Sequence, residues 1–450
     1  MKKTFPILIA AFVAFTMFAG CEKADKPDPK KDDPDTTEYL YFEAVEAGAT
    51  VKMEIVGSVD APSLEYSTDL TEWTSYDLNK PEVIKLEKAG DKVYWRSPGK
   101  LDRFSKDETN YIHFVLGKKK VAAGGNIMSL VDKTCESVTI PSRCCFAWLF
   151  DNGTALVSSP KLPATNLKDG CYFHMFNGCI SLEKAPELPA TSLALGCYEY
   201  MFLGCTSLKE APELPAAELW LACYMNMFAD CASLEKAPEL PATKLAEYCY
   251  DGMFQGCTSL KEAPELPAMN LSKRCYAWMF NGCTSLEKAP ELPATKLAEQ
   301  CYYAMFQSCI SLKEAPELPA MNLAENCYAW MFNGCTSLEK APELPATELA
   351  PYCYSTMFSE CAITEAPELP AKELAEFCYE SMFYDCPNLS HIKVGFENWG
   401  SDSATLEWVV GVPSAGSFEC PDGLEVKYGD NFIPTGWGVN DTATPPAAAS

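Results

Sequence analysis

Cysteines recur in this chain at a fixed step of 26 residues, from Cys171, Cys197, Cys223 and Cys249 through Cys275, Cys301 and Cys327 to Cys353, with Cys378 following after 25. A second series runs eight residues behind, from Cys179 to Cys386. An earlier, degenerate unit opens at Cys145, with Gly153 where its second cysteine would stand. A fixed period of this size marks stacked structural repeats, because one such unit is too small to bury its apolar face alone.

Within a unit, Leu245, Cys249, Met253 and Cys257 are spaced by four, with Tyr250 and Phe254 beside them. That stripe predicts one face of a short amphipathic helix. Gly256 suits the left-handed residue that ends a helix. "TSLKEA" then predicts an extended run, and "PELP" ends it, since proline cannot donate to a central ladder. Stacked copies of helix, turn, short strand and Pro-bounded turn predict an α/β solenoid, with a parallel sheet on one side and helices on the other.

Two charged columns support stacking. In a parallel stack, residues one period apart lie about 4.8 Å from each other. One column reads Glu183, Lys209, Glu235, Lys261, Glu287, Lys313, Glu339, and the next residue in each unit carries the opposite sign. Every charge is thus flanked by opposite charges. Each exposed contact contributes only about 0 to 1 kcal/mol, but a slip by one unit would set like against like, so the alternation also guards register. The column from Glu187 to Glu368 is acidic in every unit; its repetition predicts a solvated edge rather than a calcium ladder.

The flanks differ. Residues 39–133 contain seven short alternating runs, "YLYFEAVE", "TVKMEIV", "SLEYSTD", "EWTSYDL", "EVIKLE", "KVYWRS" and "NYIHFVLG", which predict strands of a β-sandwich. "STDLTEW" predicts an ordinary hairpin. The repeats occupy 134–389 in about ten units. Residues 390–439 predict a small C-terminal cap that shields the last apolar layer, with Trp399, Trp408 and Trp437 in its core, and 440–450 predict a disordered tail. At the other end, Lys2-Lys3 and the apolar run Phe5 to Phe18 predict a signal peptide over 1–20. "FAGC" resembles the lipobox of bacterial lipoproteins, which implies cleavage before Cys21 and a lipid on its sulfur. Residues 21–38 are charge, Pro and Thr, and predict a disordered acidic tether.

The repeated "CYxxMFxGCxSLxxAPELPAxxLA" resembles the BspA-like leucine-rich repeats of bacterial surface proteins. The resemblance implies a leucine-rich-repeat fold, display on the cell surface at the outer membrane, and binding or adhesion without catalysis. The period here is longer than is common in that family, and prolines such as Pro186 occupy the strand region.

The chemistry is narrowed mostly by exclusion. A net charge of -26 opposes nucleic acid and anionic membrane surfaces as partners. The three histidines are scattered, and no nucleophile–base pair, phosphate loop, cofactor motif or metal cluster stands out. The 23 cysteines are neither CxxC pairs nor matched to histidines. Eight residues of helix would separate a unit's two cysteine Cα atoms by about 12 Å, whereas a disulfide needs less than about 7 Å. Reduced core ladders are therefore expected. Unlike the rest of the unit, one outward column changes throughout: Trp148, His174, Tyr200, Asn226, Gly252, Trp278, Ala304, Trp330, Thr356, Ser381. Its aromatic members Trp148, Tyr200, Trp278 and Trp330 are either a ligand surface or a cover for gaps between helices. The expectation is a lipid-anchored, non-enzymatic surface protein that binds a host or matrix protein or a polysaccharide. The alternatives are a glycan-binding or carbohydrate-active protein and a purely architectural spacer.

Overall fold

The computed structural model describes residues 38–440. The predicted signal segment, Cys21, the remaining tether through Thr37 and the tail from 441 lie outside the described residues.

Seven strands of the N-terminal region fall on the seven alternating runs, β2 starting one residue ahead of its run: β1 (Leu40–Ala44), β2 (Ala49–Val56), β3 (Leu64–Ser67), β4 (Thr74–Tyr76), β5 (Ile84–Leu86), β6 (Lys92–Arg96) and β7 (Tyr111–Leu116). Two more follow, β8 (Val121–Gly124) and β9 (Leu156–Ser158). They form a six-stranded sheet in the order β4-β3-β6-β1-β8-β9 and a three-stranded sheet β5-β2-β7. Alternate residues of β1, β2, β6 and β7 are buried, and the sheets meet through Phe42, Trp95 and Phe114, with ring centroids 4.7 and 5.3 Å apart. β3 and β4 pair as the expected hairpin. Its turn is built by Asp69, whose carboxylate accepts from the Thr71 and Glu72 amides at 2.8 and 3.0 Å.

In the repeats, the helices expected from the four-residue stripe are absent; among the described residues the helical content is one 3-10 turn, Ile127–Leu130. Backbone bonding explains the difference. In the unit that contains Cys171, every second amide closes a turn onto the carbonyl three residues back: Cys171 to Lys168 at 3.1 Å, Phe173 to Gly170 at 3.0 Å, Met175 to Tyr172 at 3.1 Å. The amides between them donate out of the unit: Gly170 to Leu195 at 2.8 Å, Tyr172 to Cys197 at 3.0 Å, His174 to Glu199 at 3.0 Å. Each unit is therefore a coil of consecutive turns with four residues per repeat. Half of its amides bond to the next coil, which an α-helix cannot offer because all its amides are used internally. The turns require a left-handed residue at every fourth position: Gly170, His174 and Gly178 lie at φ 58, 52 and 67°. Gly256 is left-handed as expected, at 70°, but within this coil rather than at a helix end.

The extended part of each unit is also sparer than a sheet. Parallel pairing occurs at single positions 26 residues apart, such as Lys184 with Glu210, Glu210 with Lys236, and Glu314 with Lys340. A second seam pairs Glu218 with Lys244 and Lys296 with Asn322. Glu235 donates its amide to Lys209 at 3.4 Å, so equivalent residues one period apart are next-door neighbours.

Between seam and coil lies a core built of columns. Tyr198, Tyr224, Tyr250 and Tyr276 stack with centroids 5.8 Å apart and planes within 8°. A phenylalanine column runs from Phe114 onto Phe150 at 5.7 Å and onward through Phe176, Phe202 and Phe228. Both columns end on Trp408, 6.4 Å from Tyr379 and 6.1 Å from Phe383. The core is thus continuous from the N-terminal sheets to the last coil. Trp399, Trp408 and Trp437 are 7%, 0% and 2% exposed. The chain after Leu389 extends the stack: His391, in β10 (His391–Lys393), pairs with Glu365, and β10, β11 (Ser417–Glu419) and β12 (Gly438–Val439) form a parallel sheet.

The cysteines of the two ladders are buried free thiols. The expected reason for this, separation along a helix, does not apply to a coil of turns. The structure supplies another. The thiol of Cys205 donates to the carbonyl of Phe176 at 3.1 Å, that of Cys231 to Phe202 at 3.2 Å, and that of Cys257 to Phe228 at 3.1 Å. Each second-series sulfur thereby bonds to the preceding coil. Burial holds the thiols un-ionised: Cys197 and Cys386 are pushed up to about 12.

Candidate binding face

Four residues per turn put two side chains inward and two outward. Inward go Cys171, Tyr172, Met175 and Phe176, all at most 1% exposed. Outward go Phe173 and His174, then Asn177 and Gly178, all partly exposed. The outward residues of successive coils form one face whose backbone is fixed by the bonds between coils.

That face contains the column predicted from sequence. Its members occupy the left-handed position of the middle turn, with Trp148 at φ 61°, Tyr200 at 55°, Trp278 at 51° and Trp330 at 63°. They are partly buried rather than exposed. Trp148, His174 and Tyr200 lie on one another with centroids 3.9 and 4.5 Å apart and planes 15 and 21° from parallel. The indole N–H of Trp148 donates to the Glu108 carbonyl at 3.0 Å. Trp278 carries the Arg274 guanidinium over its ring at 4.5 Å and meets the edge of Tyr303 at 5.1 Å. Arg274 also bonds Asp251 at 2.9 Å. The structure brings Trp148 and Tyr200 into one stack through His174 and leaves Trp278 and Trp330 as separate members further along.

Two carboxylates on this face are far from ordinary. Burial pushes Asp251 up to about 6 against the pull of Arg274, and its side chain is 2% exposed. Burial, with the Glu108 charge adding to it, pushes Glu199 up to about 7. His174 is held down to about 4 by burial between its aromatic neighbours. The two carboxylates did not come out of the sequence reading, which placed His174 in the changing column but singled out only its Trp and Tyr members. Also missed were Leu195, Trp220 and Leu221, which are 46%, 59% and 40% exposed. The signal was present: Leu195 and Leu221 stand where later units have Glu247, Lys273 and Glu299.

The seam side of the stack is different. Hollows of 810, 850 and 650 Å³ lie between neighbouring PELP segments, each lined by the same Lys, Glu, Ala, Pro and Leu set. One of the alternating charge pairs closes to an ion pair, Lys313 with Glu287 at 3.4 Å. Among the described residues no group of three or more His, Cys, Asp or Glu is arranged to hold a metal ion, and no helix is long and apolar enough to cross a membrane.

Stacked coils with an invariant interior and a changing outer face define a leucine-rich-type repeat protein. Residues 172–313 and 299–402 match the BspA type leucine rich repeat region, in six copies. The match covers just over half of the chain, which belongs to this family. No curated protein and no solved structure matches the chain.

Proposed function

We propose that this protein is a non-enzymatic, lipid-anchored cell-surface solenoid that binds macromolecules, in adhesion or in capture of host or matrix protein, through the outward face of its coils. The N-terminal sheets act as a sandwich domain that holds the first coil, the C-terminal segment caps the last, and lipidated Cys21 tethers the assembly to the outer membrane.

One observation carries the reading. A bulky residue in the left-handed region costs roughly 1 kcal/mol. At the third turn of the coil the chain avoids that cost, with Gly178, Gly204, Gly256, Gly282 and Gly334 interspersed with short polar residues and Glu360. At the middle turn nine of the ten positions carry a side chain, four of them Trp or Tyr, and Gly252 is the exception. The fold needs only a left-handed backbone there. Large, changing side chains retained at such a position support selection by a partner, and a spacer has no use for them.

Protein is favoured over glycan as the ligand. Sugars pack on free ring faces, and the faces of Trp148, His174 and Tyr200 are turned on each other.

The test is binding of the full-length protein to a panel of purified matrix proteins and polysaccharides. Saturable protein binding that falls on Trp278→Ala plus Trp330→Ala is expected. Turnover of a glycan abolished by a single carboxylate substitution would overturn the non-enzymatic reading. For the anchor, Cys21→Ala is expected to release the protein from the membrane fraction.

A further inference from the structure

Against nearly identical units, one stretch of the outer face stands apart. Leu195 and Leu221 are in register on adjacent coils: the Gly170 amide donates to the Leu195 carbonyl at 2.8 Å and the Gly196 amide to that of Leu221 at 3.0 Å. Trp220 precedes Leu221 where the next unit has Ala246. Phe173 and Met225, from the column that contains Glu199, flank the pair and are themselves partly exposed. The result is an exposed apolar patch on a molecule of net charge -26, with its two leucines at a position that later units fill with charge.

Glu199 sits inside this patch. Its carboxylate folds back over Gly196, where an added Cβ would lie 2.8 Å from Oε2. The adjacent glycine, Gly170, lies beneath the Glu108 carboxylate, 3.9 Å from a Cβ built there. Glu108 is neutralised by Arg143 at 3.0 Å and accepts from the Cys144 thiol at 3.2 Å. Glu199 has no cation and no donor among the described residues. The space over Gly196 is thus taken by the Glu199 carboxylate and that over Gly170 by the Cys144 thiol, 3.1 Å from a Cβ built there, so a satisfied and an unsatisfied carboxylate lie over neighbouring glycines of adjacent coils. A carboxylate already stripped of much of its water gains more from a cation than a solvated one does, and apolar contacts around it keep water out.

We propose that this patch docks a protein segment presenting a single Lys or Arg among apolar side chains. The cation meets the Glu199 carboxylate from the solvent side, and its apolar neighbours cover Leu195, Trp220 and Leu221. This rests on the outer face being the binding face, and it states where on that face contact begins and what the partner offers.

The probe is a fluorescein-labelled synthetic peptide with one lysine flanked by leucines, and the same peptide with Gln or Glu at the lysine, titrated onto the full-length protein by anisotropy. Expected is binding of the lysine peptide at least tenfold tighter than the glutamine one, with the glutamate peptide weakest. Glu199→Gln should erase the difference between lysine and glutamine peptides. Leu195→Glu with Leu221→Glu should weaken the lysine peptide at least tenfold; these variants place in two units what Glu247 and Glu299 already are in others, so the stack is retained and its melting temperature confirms it. Equal affinity for the three peptides, no binding of the lysine peptide, or indifference to Glu199→Gln and the paired glutamates would each overturn the proposal. If it fails while matrix-protein binding persists and falls with Trp278→Ala plus Trp330→Ala, the wider reading stands and only this patch is lost. Failure of both panels sinks both.

Discussion

The two sides of a single coil obey different rules. Inward, Tyr224 meets Tyr250, which meets Tyr276, always at 5.8 Å and within 8° of parallel. Outward from the same turns, Asn226 is followed by Gly252 and then Trp278. The backbone is common to both, so the contrast is not one of fold. An inward side chain touches copies of itself, and any change must suit the coil above and the coil below at once. An outward side chain can also stack on its neighbours, as Trp148, His174 and Tyr200 do, but one side of it faces solvent, so a change there is not bound to match both coils. Constancy here reports packing, and the freedom to change is what the proposed binding role uses.

The largest test of that contrast is to break an inward column. Tyr250→Ala removes a fully buried ring flanked by rings on both sides and is expected to cost about 3 to 5 kcal/mol, read by chemical denaturation. An effect below about 1 kcal/mol would mean that the columns are mere alignment. Next in size is Arg274→Ala on the outer face, which strands the buried Asp251 carboxylate and should cost about 1 kcal/mol at pH 7, rising to about 3 kcal/mol at pH 8 and above. The folded-state pKa of Asp251, about 6, lies above its ordinary value of 3.8. Its contribution to stability is therefore full below pH 3.8 and declines as pH rises through 6. Without Arg274 the carboxyl rises further, so wild type and variant should converge below about pH 4 and diverge at pH 7 and above. A gap independent of pH would locate the loss in packing on Trp278 instead.

What could be read in advance follows the same divide. The seven N-terminal strands were legible because alternation of period two is a direct image of a two-faced sheet. Stacking was legible in Glu235 and Lys209, since charge alternation over a double unit has meaning only if the units touch. The coil was misread as a helix for a definite reason. A helix advances 100° per residue, so side chains four apart drift by about 40° at each step. Leu245, Cys249, Met253 and Cys257 hold a spacing of four without an intervening three, which is the coil's own period, but three steps are too few to separate the two by eye. Glycine at the third turn was noticed; that the column four residues earlier shares its left-handed backbone was hidden, because Trp, His and Tyr stand there instead. Glu199 was invisible because no local pattern announces its burial.

Glu199→Gln turns that hidden feature into a smaller, opposite effect. Its pKa of about 7 lies above the ordinary 4.5, so the native state holds the proton more tightly than the unfolded chain. Stability supplied by this group is full below pH 4.5 and lost as pH climbs through 7. Glutamine mimics the protonated form, and the variant should be more stable than wild type by about 1 to 2 kcal/mol at pH 8, allowing for partial exposure. The two should be equal near pH 4. Destabilisation at pH 8 would mean that the carboxylate has a cation after all, and the docking proposal would lose its unsatisfied charge.

The smallest effect belongs to the seam. Lys261→Glu places a carboxylate between Glu235 and Glu287, both exposed, so three like charges then stand about 4.8 Å apart along the stack. Each lost or reversed contact contributes no more than about 1 kcal/mol and is screened by salt. The expected destabilisation is therefore slight at low ionic strength and absent at 1 M salt, with binding to the outer face unchanged. Adding Glu235→Lys and Glu287→Lys to the variant gives position 261 opposite neighbours again but moves the two like-charge contacts outward, onto Lys209 and Lys313, so the same slight loss is expected. The comparison separates pairing between coils from a bulk effect of net charge, because single and triple variants have the same number of like-charge contacts while the single variant is two charges more negative than wild type and the triple two charges less negative. If stability then follows total charge rather than the order of signs, the alternation guards solubility alone, and register is held by the stacked rings and the thiol-to-carbonyl bonds beneath them.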